Sequence, residues 1–213
     1  MKGVTFGTRH SFDDFGLILT SKSLGLPKAK TSTVEVAGAD GVIDTSEVLT
    51  GEIKFENRVL SFEFVMNDKY EDINDKITEI ANYLHGRKMK IILDEDNQHY
   101  YYGRCTVNEW LTDRRVGEIA ITCDCEPYKY DLYETVINTT VNGETVMNVH
   151  GKRRTICPTI QVIGNVSVEI DGESITLYEG NNEILDFYIK EGDNVLIFNG
   201  DGMVTLTYRG GEL

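Results

Sequence analysis

No stretch of this 213-residue chain approaches the roughly 18 consecutive apolar residues of a membrane-spanning helix, so no membrane-embedded role is expected. The N-terminus, MKGVTFGTRHSFDDFG, has no continuous apolar core behind its lysine and does not read as a secretory signal. A cytosolic origin is the expectation. Cations are also scarce: 21 Lys and Arg stand against 35 Asp and Glu, a formal charge of −14. The deficit runs through both parts, −6 over residues 1–130 and −8 over 131–213. Neutralising phosphate takes clustered Lys and Arg, so sequence-specific nucleic-acid binding is not expected.

Patterns that carry chemistry are missing as well. The four histidines, His10, His85, His99 and His150, form no HxH, HxxxH or HExxH spacing, and there is no GxSxG elbow. Neither GxGxxG nor GxxxxGK[ST] occurs. The four cysteines stand at 105, 123, 125 and 157. Cys123 and Cys125 would share one face of a strand, too close for easy bridging and poorly spaced for zinc, so reduced core residues are expected. No catalytic residue, metal or cofactor is expected.

What is present is mostly β-pattern. In GEIKFENRVLSFEFVMND, Ile53 and Phe55 share a face, then Leu60, Phe62 and Phe64 share one, with a hairpin loop expected at Glu56-Asn57-Arg58. Phe12, Phe15, Leu17 and Leu19 suit a strand entered from a turn at Asp13-Asp14, and TSTVEV reads as another strand. One helix stands out in DKYEDINDKITEIANYLHGR. Ile73, Ile77, Ile80, Ala81 and Leu84 keep one stripe, Glu71, Asp72 and Asp75 favour the N-terminal dipole, and Gly86 stands at C′. KMKIIL and HYYYGRCTVNEW then form a hairpin, and GEIAITCDCEPYKY closes a first unit near residue 130.

Residues 131–157 read as a polar crossover with an Asn142-Gly143 hairpin turn. Beyond Pro158 come six short strands: TIQVIG, VSVEI, SITLY, ILDFYI, NVLIFNG and MVTLTYR. Turns are expected at Asp171-Gly172, Gly180-Asn181-Asn182, Gly192-Asp193-Asn194 and Gly200-Asp201-Gly202. That spacing points to a β-sandwich or jelly roll. No internal repeat is read. The expected class is mainly β: a β-sandwich or barrel-like first domain, 1–130, with one packed helix, then a small β-sandwich, 131–213.

Three local features ask for a role. EVAGADGVIDTSE, residues 35–47, ends like the back half of a calcium loop, yet Val36 and Gly38 fall where the first ligands should stand. Shaped turns at Gly38 and Gly41, with Asp40 and Asp44 capping or solvating the loop, account for it better. The tyrosines of HYYYG, with Tyr100 and Tyr102 on one face and Tyr101 on the other, and the lone Trp110 fit core or interface packing, or stacking on a sugar. GKRRT at 151–155 is a solvated basic loop or an intermolecular ion-pair site.

Several phrases in order, SFDDFGLILTSKSLGLPKAK, VEVAGADGVIDTSE, LSFEFVM, ANYLHGRKMKIILDEDNQHYYYGR and CDCEPYKY, resemble the siphophage distal tail protein family, also grouped as the phage tail family. The likeness is close over residues 1–130 and looser after, where GDNVLIFNGDGMVTLTYRGGEL resembles the family's closing strands. The resemblance implies a non-enzymatic structural protein, six copies of which form a ring in the virion tail tip or a phage-tail-like particle, assembled in the bacterial host cytoplasm. The ring would join the tail tube protein to the tail tip, meaning the tail-associated lysin or tape-measure end, and hold receptor-binding proteins. It also implies a galectin-like fold for the second domain. An acidic ring lumen would suit passing DNA. The alternatives are a carbohydrate-binding module contacting cell-wall saccharides and, further off, a wall hydrolase. In such a ring Val42 and Ile43, apolar in a polar loop, are expected to pack on a neighbouring subunit or the tube. Asp40 and Asp44 beside them complete the interface candidates.

Overall fold

The computed structural model describes residues 2–66, 70–113, 116–170, 173–184 and 187–213, the side chains of 70–73, 110–113, 116, 170 and 173 excepted. The expected stripe residue Ile73, the helix acids Glu71 and Asp72, the side chain of Trp110, the Asp171-Gly172 turn and the middle of ILDFYI lie outside that description. The chain is mainly β, and it divides into two compact units, Met1–Lys129 with Leu213, and Tyr130–Glu212.

The first unit holds β1 (Val4–Phe6), β2 (Arg9–His10), β3 (Ile18–Leu24), β4 (Thr33–Val34), β5 (Ile43–Asp44), β6 (Arg58–Met66), α1 (Tyr70–Leu84), β7 (Lys88–Leu93), β8 (Asp96–Asp113) and β9 (Val116–Cys125). Its strands pair antiparallel in the order β2-β1-β7-β8-β9-β6-β3. The alternation of RVLSFEFVM in β6, between β9 and β3, sets one face of that strand into the core. Leu60, Phe62, Phe64 and Met66 are buried while Val59 and Glu63 face out. Phe6 meets Phe62 and Phe64 edge-on at 5.8 and 6.2 Å. Each such ring contributes roughly 1.5–3 kcal/mol of burial.

Helix α1 lays Ile77, Ile80 and Leu84 into this core, as its period requires, while Ala81 stays half-buried. It stops at Gly86, whose φ of 77° is one that L side chains rarely adopt. Cys105, Cys123 and Cys125 are buried thiols of the same core, with Cys105 and Cys123 cross-strand neighbours and their Sγ atoms 3.3 Å apart. Cys157, by contrast, is exposed.

The second unit corrects the expectation of six short strands. TIQVIG and VSVEI are one strand, β12 (Thr159–Ile170); NVLIFNG and MVTLTYR are one strand, β15 (Gly192–Tyr208). The supposed crossover contains β11 (Thr135–Gly151), paired with β15 over its whole length. β13 (Glu173–Thr176) and β14 (Gly180–Glu183) both flank β12, giving a five-stranded sheet in the order β11-β15-β12-β13, and β10 (Lys129–Asp131) pairs with β16 (Gly211–Glu212) outside it.

Asn142-Gly143 and Gly200-Asp201-Gly202 are therefore not hairpin turns. Gly143 faces Gly200, and Gly164 faces Gly202, across three neighbouring strands. Gly143, Gly164 and Gly200 have φ of 70°, 104° and 132°. A Cβ on Gly200 would stand 2.1 Å from the Asn165 carbonyl oxygen. Glycine lined up across the strands lets them bend without breaking the ladder. Both halves of each strand then supply one core: Ile160 and Val162 with Val166 and Val168, and Leu196 and Phe198 with Val204 and Leu206. The sheet is its own sandwich partner.

The remaining expected turns also differ. Gly180-Asn181-Asn182 opens β14, and Gly192-Asp193-Asn194 opens β15. In both, an asparagine clasps the approach. Asn182 Oδ1 accepts from Tyr178 N at 2.9 Å, and its Nδ2 donates to the Tyr178, Gly180 and Ile160 carbonyls. Asn194 does the same to Lys190, Gly192 and Val149. YEGNN and KEGDN are thus a short structural repeat that sequence reading missed, because the residues clasped from across the sheet are far away along the chain.

Candidate assembly surface

Between β3 and β6 the first unit sends out an arm, residues 25–57. At its base Lys30 N donates to Lys54 O at 2.7 Å and Glu56 N to Lys28 O at 2.8 Å, around an isolated bridge between Ala29 and Phe55. Phe55 packs edge-on against Tyr128, centroids 6.0 Å apart. The strands expected from TSTVEV and GEIKF shrink accordingly. Only Thr33 and Val34 pair, with Asp44 and Ile43, and the segment at Ile53–Phe55 joins no named strand, so no hairpin forms at Glu56-Asn57-Arg58. A ladder two strands wide is marginal on its own. Arg58 instead is buried in β6, donating Nε to Gly25 O at 2.8 Å with its guanidinium 5.0 Å over Tyr101.

Further out, polar side chains fix the arm's shape. Asp44 accepts from Ser46 N at 2.9 Å and from Ser46 Oγ at 2.5 Å, which holds its carboxyl below the usual aspartate range. Thr45 and Ser46 tie back to Ser32. Gly38 and Gly41, at φ 86° and 76°, form the tip, and a Cβ at either would meet open space. Among the described residues no three of His, Cys, Asp and Glu gather to hold a metal ion, Asp40, Asp44 and Glu47 included.

Val42 and Ile43 are each 56% exposed and share the arm with Leu26, Val34, Val36, Val48 and Leu49, the last 95% exposed. Seven large apolar residues stand uncovered within 24 positions, which makes the arm a candidate contact surface. Sequence reading found only Val42 and Ile43. Val48 and Leu49 follow Thr-Ser-Glu in a turn closed by Gly51 N donating to Glu47 O, and nothing local says they lack a packing partner. Asp40 lies exposed at the tip and Asp44 on β5.

The other candidates are absorbed internally. Each histidine serves a local bond: His10 to Asp13 and Asp94, His99 to Asp96, His150 to Asp193, while His85 Nδ1 accepts from Val107 N. Tyr101 enters the core, and its phenol is pushed up by burial; Tyr100 and Tyr102 lie under Lys90 and Lys88 on the opposite face. In GKRRT, Lys152 binds Asp131 and Glu212, Arg153 binds Glu191 and Arg154 covers Tyr130. The basic loop is spent on its own chain.

Comparison with known proteins places this architecture. No curated protein matches the chain. Among solved structures it is similar to the SPP1 Dit (gp 19.1) protein, described as a paradigm of the hub adsorption apparatus in phages infecting Gram-positive hosts. The two are 14% identical with a TM-score of 0.72, over 98% of this chain and 99% of that one. At that identity the likeness shows a shared fold along the whole length. The sequence profile of one family, the phage tail protein RIFT-related domain, matches residues 7–125, more than half of the chain and the part that carries the arm. The chain belongs to that family of phage tail proteins.

Proposed function

We propose that this protein is the structural hub of a siphophage distal tail, six copies closing a ring that joins the tail tube to the tail-tip and host-recognition apparatus. The observation that carries the reading is the arm: seven exposed apolar side chains on the family-matched unit. A ring needs two different surfaces on each copy, one to give and one to receive, and a projecting arm supplies the first. Val42, Ile43, Asp40 and Asp44 belong to that contact. In this reading the protein does no catalysis and resides in the virion tail after assembly in the host. The full-length likeness to a protein described as part of a hub adsorption apparatus supports the same role.

A groove of about 460 Å³ in the second unit favours a second reading, saccharide binding. Thr159, Gln161, Asn181 and Thr207 line it beside Glu134 and Arg154. Size-exclusion chromatography with light scattering, alone and with the neighbouring tail proteins, separates the two. A ring, or recruitment into one, supports the hub; a persistent monomer that retains cell-wall glycan supports the second reading.

A further inference from the structure

The hub reading requires a surface that receives the arm, and charge selects one. From Thr33 to Leu49 the arm carries Glu35, Asp40, Asp44 and Glu47 and no Lys or Arg, interleaved with exposed Val34, Val36, Val42 and Ile43. It presents apolar and acidic side chains by turns. Its counterpart must offer cations over apolar surface, and in a chain of charge −14 such places are few.

The outward face of β7 and β8 is one. Lys88 and Arg104 are cross-strand partners, as are Lys90 and Tyr102. Lys88 Nζ lies 4.5 Å from the Tyr102 ring centre and Lys90 Nζ 4.4 Å from that of Tyr100. Glu126 matches Lys88 at 2.7 Å. Asp124 is the cross-strand partner of Arg104, but the Arg104 guanidinium turns to the Gly86 carbonyl at 2.5 Å. Lys90 and Arg104 are exposed, and among the described residues neither has a carboxylate partner. In the rival basic cluster at 152–154, Lys152 and Arg153 are held by carboxylates of their own unit, and Arg154 stands over Tyr130.

Resting on the hub reading, we infer that the acidic, apolar arm of one copy docks on the Lys88–Lys90–Arg104 face of the next, beside the half-buried Tyr102. The contact is head to tail, uses two different surfaces, and leaves each copy with one arm to give and one face to offer. That is the condition for closing a ring. Lysine over a half-buried tyrosine also suits acids flanked by valine, because the cation meets the carboxylate while the Tyr102 ring and the lysine stems meet the aliphatic side chain.

Two charge-reversed proteins test this. One carries Glu35→Lys with Asp40→Lys; the other carries Lys90→Glu with Arg104→Glu, and Lys90→Glu alone backs it up should the double variant melt early. Sedimentation over a wide concentration range reads the association. Each variant alone is expected to associate about a hundredfold more weakly or worse, since like charges face each other at every contact. An equimolar mixture of the two should assemble again, because both kinds of contact then join opposite charges. Only a contact between copies gives that rescue. Variants that assemble like the parent, or folded variants whose mixture stays monomeric, overturn the docking while leaving the hub reading intact. A parent that is monomeric throughout overturns the docking and, with it, self-assembly of the hub.

Discussion

Among the described residues, seven of the ten exposed large apolar side chains of the first unit crowd into residues 26–49, whereas in the second unit those exposed, such as Val136, Val146, Ile163, Val195 and Met203, are spread along three paired strands. The first unit has one sheet face covered by a helix and core, and most of its exposed large apolar residues stand on an arm that packs on its own unit only near its base, through Phe55 against Tyr128. The second has no helix among its described residues and folds one sheet over itself, so its core closes without help. The difference teaches which surface to test for interaction. Outward valines along paired strands are the ordinary surface of a sheet, while a set gathered on one hydrogen-bond-shaped arm is what the proposed contact would use.

The sharpest way to break the comparison is to remove the bend on which the second unit depends. Gly200→Val places a side chain at φ 132° and against the Asn165 carbonyl, at a cost of more than about 3 kcal/mol. Thermal unfolding followed by circular dichroism should lose the second unit's transition. Fluorescence of the single tryptophan, Trp110 of the first unit, should keep its midpoint. A shared loss would mean that the two cores do not stand alone. A smaller effect comes from the clasps. Asn194→Ala or Asn182→Ala removes four hydrogen bonds at a strand entry and should cost about 1–3 kcal/mol by denaturant titration. Equal losses at the two sites would establish the repeat as energetically real.

The smallest effect belongs to the first unit's surface. Burial pushes the Asp96 carboxyl up, but bonds from His99 and Lys129 outweigh it and hold the group below its ordinary value. A depressed carboxylate stabilises the fold above its unfolded pKa and loses that contribution as pH falls through the folded one. Asp96→Asn should therefore flatten the acid limb of the melting curve, by less than about 1 kcal/mol because solvent screens the site. An unchanged acid limb would remove Asp96 from the account.

Much of the first unit was legible because its signals are local. The period of Ile77, Ile80 and Leu84 makes the helix, Gly86 ends it, and RVLSFEFVM alternates along one strand. The second unit was misread where a local signal serves a distant end. Asn142-Gly143 and Gly200-Asp201-Gly202 have turn chemistry, yet each lies beside strands whose partners are more than 30 residues away, and the ladder carries them through as a bend. The arm was half legible. Apolar residues at 42 and 43 in a polar loop were visible, while the exposure of Val48 and Leu49 depends on what the folded unit fails to bring near them.

The central claim is that the arm is an assembly surface and not a turn. Its most direct test is the mass in solution, by light scattering, of the parent and of Val42→Ser with Ile43→Ser, each with its melting temperature. The account predicts that the parent assembles and that the variant does not, with melting unchanged because both residues are uncovered in the single copy. A variant that assembles as fully as the parent would contradict it.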